Sequence, residues 1–121
     1  MFTTDSRTCS PADARRLALA YLQTHCPTAD IGAIQLVLSE LVTNAARHTP
    51  AGTWTLELHH DDQALTLHVH DHSTHLPRPR TTSALDGNGG LGLHIIDHLT
   101  DHTSTTVTPH GKTTTAHWTL T

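Results

Sequence analysis

The 121-residue sequence is poor in the residues that several common classes of protein require. Its 7 basic residues are outnumbered by 11 acidic ones, and aromatic residues make up 3% of the chain. Direct binding to nucleic acid is therefore not expected, because phosphate contacts need Lys and Arg and unstacked bases need aromatic rings. No apolar run approaches the roughly 20 residues of a membrane span, and the N-terminus lacks the apolar segment of a signal peptide. Neither a membrane partner nor export is predicted.

Cysteine is also scarce. The two cysteines, Cys9 and Cys26, form no metal-binding or redox motif. Their small number indicates a reducing compartment, and we predict a cytoplasmic protein. The length suits a single domain over residues 1–121, with its core at about 10–120.

Two helices are predicted in the first half of the chain. Ser10 is typical of an N-cap and is followed by Pro11 and Asp13, after which apolar residues recur with the helical period. The first helix is predicted to run to about Cys26, and the second covers 31–48. The residues that we expect the first helix to bury are Ala14, Leu17, Ala18 and Tyr21.

Beyond the second helix the hydrophobic period changes to two, which is typical of strands with one buried face. Residues 54–58 and 65–69 are predicted to form a hairpin around a turn at 61–63. The other predicted elements are an edge strand or tail at 1–9, a helix at 91–102, and strands at about 103–109 and 113–120. This order favours an α+β fold: a two-layer α/β sandwich with helices on one face of a mixed, mostly antiparallel sheet.

Three polar side chains share one face of the second predicted helix. Glu40, Asn44 and His48 are spaced i, i+4, i+8, so they stand one above another. Taken alone, a solvated helix face explains such a row about as well as a functional site does. Asp71 adds a second signal. It occupies the next alternate position after the apolar, core-facing residues of the strand at 65–69, and burying a carboxylate there without a partner is costly.

A cluster of glycines precedes the third predicted helix. The stretch from Gly87 to Gly92 matches the dinucleotide-binding pattern G-x-G-x-x-G literally. That interpretation fails because no strand precedes the stretch and no acidic residue follows about 20 positions later. Glycines that open a helix still expose amide N–H groups that suit a phosphate, while a flexible linker is the plainer alternative.

Taken in order, the Glu40-x-x-x-Asn44 helix, Asp71 and the Gly-Leu-Gly-Leu sequence from Gly90 to Leu93 resemble the GHKL ATPase superfamily, whose members have the Bergerat ATP-binding fold. The small size and the sequence GGLGLHIID are most similar to the stand-alone anti-sigma-factor serine/threonine kinases of bacteria. The resemblance covers about residues 10–120. It implies binding of ATP with Mg²⁺ and transfer of the γ-phosphate to a partner protein.

The resemblance also implies a role for each matching residue. Asn44 would hold Mg²⁺ against the ATP phosphates, Glu40 would be the general base that activates the attacking hydroxyl, and Asp71 would accept a hydrogen bond from the adenine amine. Residues 74–90 would form a lid. The implied ATP-binding residues are Asn44, His48, Asp71, Ser73, Gly87, Gly89, Gly90, Leu91, Gly92, Leu93 and Thr115.

The chain departs from the superfamily pattern at both glycines after the aspartate and in the orientation of a late-strand threonine. The pattern after the aspartate is D-x-G-x-G, whereas this chain reads D-H-S-T-H from Asp71 to His75, with a serine that small kinase-like members also carry. The family's late-strand threonine corresponds to Thr115, although strand parity with Trp118 and Leu120 puts Thr115 on the other face of the sheet.

Two functions remain open, and both involve a protein partner. The first is a protein serine/threonine kinase that acts on an anti-sigma antagonist. The alternative is a nucleotide-gated module that sequesters a sigma factor or another partner with little or no transfer chemistry. A sensor histidine kinase fragment is disfavoured, because no dimerisation helix with a phosphorylatable histidine precedes the domain. A homodimer is left open.

Histidines alternate along the second strand of the predicted hairpin at His68, His70 and His72. This spacing suits a transition metal. No cysteine or carboxylate accompanies them in the expected pattern, so a solvated surface is the favoured interpretation.

Overall fold

The computed structural model describes residues 1–49, 52–72 and 98–120, apart from the side chain of His48. These ranges form two helices and five strands, which confirms the α+β class. In chain order the elements are β1 (Phe2–Asp5), α1 (Pro11–His25), α2 (Ile31–His48), β2 (Trp54–His60), β3 (Ala64–Asp71), β4 (His102–Thr108) and β5 (Gly111–Thr119).

The two helices begin and end close to their predicted bounds because the local signals are strong. Ser10 caps α1, its Oγ accepting from the backbone N–H of Asp13 at 3.1 Å. Hydrogen bonding from Ser10, followed by the charge of Arg16, lowers the pKa of Asp13. Asp30 caps α2 in the same way, accepting from the N–H of Ala33 at 3.2 Å. Across the described residues, no helix is long and apolar enough to span a membrane.

The five strands form one sheet in the order β1-β2-β3-β5-β4. Every pairing in the described part of the sheet is antiparallel, so no mixed component is found there. β1 lies at one edge, which decides the open question about residues 1–9 in favour of a strand. β3 is central, between β2 and β5, so the end of β3 is enclosed from both sides.

The core lies between the two helices and one face of the sheet. Every second residue of β2 and β3, and the buried residues of β5, point toward the helices, as the hydrophobic period of two predicts. One residue of the predicted core is wrong: Leu17 is 42% exposed. The buried stripe of α1 consists of Ala14, Ala18 and Leu22 at i, i+4, i+8, and Leu17 lies beside that stripe.

The predicted end of the third helix at residue 102 is also wrong. Residues 91–97 lie outside the described residues, His98 and Leu99 are helical, and β4 begins at His102. Strand pairing determines this boundary. The backbone N–H of Asp101 donates to the carbonyl of His117 at 3.0 Å, and Trp118 Nε1 donates to the carbonyl of Leu99 at 2.6 Å.

Candidate functional site

Asp71 ends β3 on the inward face of the sheet, as the alternation of that strand predicted. It is 3% exposed and is paired in register with Trp54 on one side and Lys112 on the other. The carboxylate has a partner within the protein, because Lys112 Nζ lies 3.5 Å from Asp71 Oδ2. The buried carboxylate therefore has a partner within the chain, and the role of Asp71 toward adenine stays a prediction.

Lys112 was missed by the sequence analysis, which placed it in the turn between the last two strands. The turn is shorter, since β4 ends at Thr108 and β5 begins at Gly111. A signal was present in the sequence. Lys112 has the same parity as Ala116 and Trp118, which are apolar and buried, so the strand that contains them points this lysine inward as well.

Gly111 allows β5 to begin so close to the end of β3. Its φ of +145° is accessible to glycine and rarely to other residues. A Cβ at this position would clash with the backbone carbonyl oxygen of Asp71 and would lie 3.0 Å from the Cα of His72. The close approach holds Lys112 opposite Asp71, so the buried ion pair depends on this glycine.

Asn44 and Asp71 line one small cavity, although 27 positions separate them in the chain. Residues from α2, β3 and β5 form its wall: Leu41, Asn44, Ala45, Val69, Asp71, Lys112 and Thr114. Its volume of about 20 Å³ is enough for about one water molecule. The cavity brings together an amide, a carboxylate, an ammonium and a hydroxyl group, each of which forms hydrogen bonds.

Two hydrogen bonds to α1 fix the position of α2, which carries Glu40 and Asn44. Arg15 Nη1 donates to Ser39 Oγ at 2.8 Å, and Gln35 Nε2 donates to the carbonyl of Arg15 at 3.0 Å. Glu40 is half-buried and is not part of the cavity wall. It lies one helical turn before Asn44, a backbone separation of roughly 6 Å.

The structure does not bring Thr115 to this cavity. Thr115 faces the opposite side of the sheet, as strand parity indicated, and its Oγ1 lies 3.0 Å from His68 Nδ1. The cavity is lined instead by Thr114, the preceding residue on β5. Because strand side chains alternate between faces, a shift of one residue decides which threonine belongs to the site.

The remaining predicted site residues lie outside the described residues. They are the side chain of His48 and residues Ser73, Gly87, Gly89, Gly90, Leu91, Gly92 and Leu93, together with the predicted lid at 74–90. Their implied roles stay predictions.

The histidines of β3 lie on the outer face of the sheet, away from the cavity. His68 and His70 each place Nδ1 3.0 Å from a threonine hydroxyl of β5, on Thr115 and Thr113 respectively. On the same face, His59 Nε2 lies 2.9 Å from Glu57 Oε1. No group of three or more His, Cys, Asp or Glu side chains in the described ranges is arranged to hold a metal ion.

The chain matches a known protein family over nearly its whole length. Residues 5–118 match the family described as "Histidine kinase-like ATPase domain". No curated protein matches the chain. The matched range includes α2, the end of β3 and the start of β5, which together form the cavity.

Proposed function

Since the chain belongs to the histidine kinase-like ATPase domain family, we propose that it is an ATP-binding regulatory protein that transfers the γ-phosphate to a serine or threonine of a partner protein. Family membership implies ATP binding. The observation that carries the proposal further is the convergence of Asn44 and Asp71 on one cavity, with Glu40 one turn earlier on the same helix.

Two side chains that line the cavity carry groups that suit parts of Mg-ATP. Asp71 supplies a carboxylate that accepts hydrogen bonds, which suits an exocyclic amine of a base. Asn44 supplies a neutral amide oxygen, a ligand type that Mg²⁺ accepts beside phosphate oxygens. When bound, Mg²⁺ would supply charge neutralisation for the phosphates, and Asn44 would help to hold it.

Glu40 would orient and deprotonate the attacking hydroxyl. Phosphoryl transfer depends mostly on positioning and charge neutralisation, and one group is needed to direct the nucleophile. Among the described residues of α2, Glu40 is the only acid. Its spacing from Asn44 allows both side chains to serve the same γ-phosphate.

The partner that we propose is a sigma factor or its anti-sigma antagonist, as the resemblance to anti-sigma-factor kinases implies. The alternative is a nucleotide-gated module that sequesters this partner and transfers no phosphate. The two functions differ in their need for Glu40, since a base is needed for transfer and not for sequestration.

Nucleotide binding is tested by calorimetry with Mg-ATP. Asn44→Ala should weaken binding about tenfold or more, because it removes a contact to a charged group. Thr113→Val is the matched control: Thr113 lies on the outer face of β5 and should leave affinity unchanged. Equal affinities of the wild type and Asn44→Ala would remove Asn44 from the site.

Transfer is tested with labelled ATP and candidate partners. Glu40→Gln should abolish labelling of the partner while partner binding survives. The matched control is Glu57→Gln, because Glu57 lies on the outer face of the sheet. This variant should label the partner as strongly as the wild type does. Undiminished labelling by Glu40→Gln would dismiss Glu40 as the base. If no partner is labelled and ATP still controls partner binding, the sequestering module is the function.

A further inference from the structure

Two histidines at the end of β3 are held in place by the neighbouring part of the sheet. On the outer face, His70 places Nδ1 3.0 Å from the hydroxyl oxygen of Thr113, its register partner on β5. His72, one residue beyond the end of β3, places Nδ1 3.3 Å from the carbonyl oxygen of His110. Nε2 of neither ring has a hydrogen-bond partner among the described residues. Both rings are therefore oriented through one nitrogen and keep the other open to a ligand.

The contacts of Nδ1 also determine where the lone pairs lie. A carbonyl oxygen can only accept a hydrogen bond, so Nδ1 of His72 carries the proton and the lone pair of the neutral ring is on Nε2. The hydroxyl of Thr113 accepts as well as donates, so His70 can adopt the same tautomer. Histidines that bind metals characteristically donate the second ring N–H to an oxygen, which fixes the ring for coordination. His70 and His72 have this arrangement without any metal.

The separation of the two rings suits a shared ion. Their centroids lie 5.5 Å apart, and their planes meet at 82°. With metal–nitrogen bonds of about 2.0–2.1 Å, two imidazoles on one tetrahedral ion have their centroids roughly 5 Å apart. Small side-chain rotations would close this difference, and the second torsion of histidine is broad enough to allow them. His70 is half-buried on a strand enclosed from both sides, and His72 is exposed, so an ion would have access from solvent.

We propose that the outer face of the sheet binds a divalent transition metal ion of the Ni²⁺, Cu²⁺ or Zn²⁺ type through Nε2 of His70 and Nε2 of His72, with water in the remaining coordination positions. Such a site needs only two protein ligands, which agrees with the absence of a group of three or more in the described ranges. Imidazole selects these ions over Mg²⁺, which prefers oxygen ligands. The site is separate from the cavity at Asn44, which lies on the other side of the sheet, and it does not rest on the proposed function.

The neighbouring pair of histidines on this face is less suited to an ion. The ring of His68 contacts the ring of His59 on β2, with centroids 5.4 Å apart. However, Nε2 of His59 lies 2.9 Å from the carboxylate of Glu57, so this nitrogen already has a partner. His68 itself makes the same type of contact to a threonine hydroxyl as His70 does. It therefore provides a matched control on the same strand and the same face.

The site is tested by calorimetry with Ni²⁺ on the untagged protein, without nucleotide and in a buffer that does not chelate metals. We expect saturable binding that excess Mg²⁺ does not reduce. His70→Gln and His72→Gln should each weaken binding by at least the about 10- to 100-fold that loss of an outer-shell partner costs. His68→Gln should bind Ni²⁺ within about threefold of the wild type. Urea unfolding without metal checks that each variant is folded.

A second measurement uses the wild type alone, so it does not depend on the folding of a variant. Cu²⁺ is paramagnetic and should bind more tightly than Ni²⁺. Sub-stoichiometric Cu²⁺ should broaden the imidazole signals of His70 and His72 before those of His59 and His68. Broadening that begins at His59 and His68 would refute the assignment.

The calorimetric outcomes are equally decisive. The proposal is overturned if the wild type does not bind Ni²⁺, or if His70→Gln and His72→Gln bind it as tightly as the wild type does. It is also overturned if His68→Gln loses binding while His72→Gln keeps it, because the ion would then lie on another pair. Since nucleotide is absent from these titrations, failure of the metal site leaves the proposed ATP site untouched, and failure of ATP binding leaves the metal site untouched.

Discussion

Replacing Gly111 by alanine should destabilise the fold at the point where β5 leaves β3. The φ of +145° lies in a region that residues with a Cβ rarely occupy. The added methyl group would meet the carbonyl of Asp71 and would lie 3.1 Å from its carbonyl carbon. These atoms belong to the backbone of a central strand, so they can move away only by breaking the pairing of Asp71 with Lys112.

The magnitude follows from two contributions. Holding alanine at this φ costs about 1–3 kcal/mol, and the displaced backbone of β3 adds to that cost. We expect a loss of about 3–4 kcal/mol in the free energy of unfolding, a large share of the total for a domain of this size. Nucleotide affinity should fall as well, because the change displaces Asp71 and Lys112 together.

Two other glycines provide matched controls. Gly52 has a φ of +64°, and a Cβ there would lie 3.5 Å from the carbonyl oxygen of Ala46, an ordinary contact. Gly52→Ala should therefore cost only about 1 kcal/mol. Gly32 is in the first turn of α2, and a Cβ there would meet only Asp30 Oδ1 at 3.9 Å. Gly32→Ala should stabilise the protein by about 0.5–1 kcal/mol, because alanine has the higher helix propensity.

Urea unfolding of the three variants ranks their free energies of unfolding, provided that the dependence of this free energy on urea concentration is the same in each variant. The reasoning would be refuted if Gly111→Ala cost no more than Gly52→Ala. It would also fail if Gly111→Ala lost stability and kept the wild-type affinity for Mg-ATP, since nucleotide binding would then not depend on the close approach of the two strands.

Three further predictions concern groups outside the site. Ser10→Ala should lower the free energy of unfolding by about 1 kcal/mol, since it removes the cap of α1; an unchanged urea midpoint would contradict this. The pKa of Asp13 is lowered chiefly by hydrogen bonding from Ser10, and that of Asp61 by the backbone N–H groups of its turn. The ionised carboxylates of Asp13 and Asp61 should stabilise the fold fully above pH 3.8, the usual pKa of an aspartate. This stabilisation should be lost as the pH falls through their lowered pKa values. Unfolding followed between pH 6 and pH 2 measures this loss, and Asp61→Asn should show a shallower dependence. A disulfide reagent should modify Cys9 before Cys26, which is 4% exposed and whose pKa is raised by burial; equal rates in the folded protein would show that Cys26 is accessible.

Elements set by local signals were predictable from the sequence. The caps at Ser10 and Asp30 and the helical period placed α1 and α2 close to their observed bounds. The period of two along β3 predicted that Asp71 is buried, and the 3% exposure agrees. Each of these features depends on residues a few positions apart, so the chain itself carries the information.

Features set by pairing between distant segments were not predictable in the same way. The end of the third helix is determined by hydrogen bonds to His117 and Trp118, and the partner of Asp71 by the register of β3 with β5. A register cannot be read from one strand alone. The sequence therefore determined that a buried carboxylate required a partner, because burying an unpaired charge is costly, while the tertiary structure decided that Lys112 is one such partner. Strand parity had already indicated that Thr115 faces away from the helices, and the pairing of β5 with β3 decided that Thr114 lines the same cavity as Asn44.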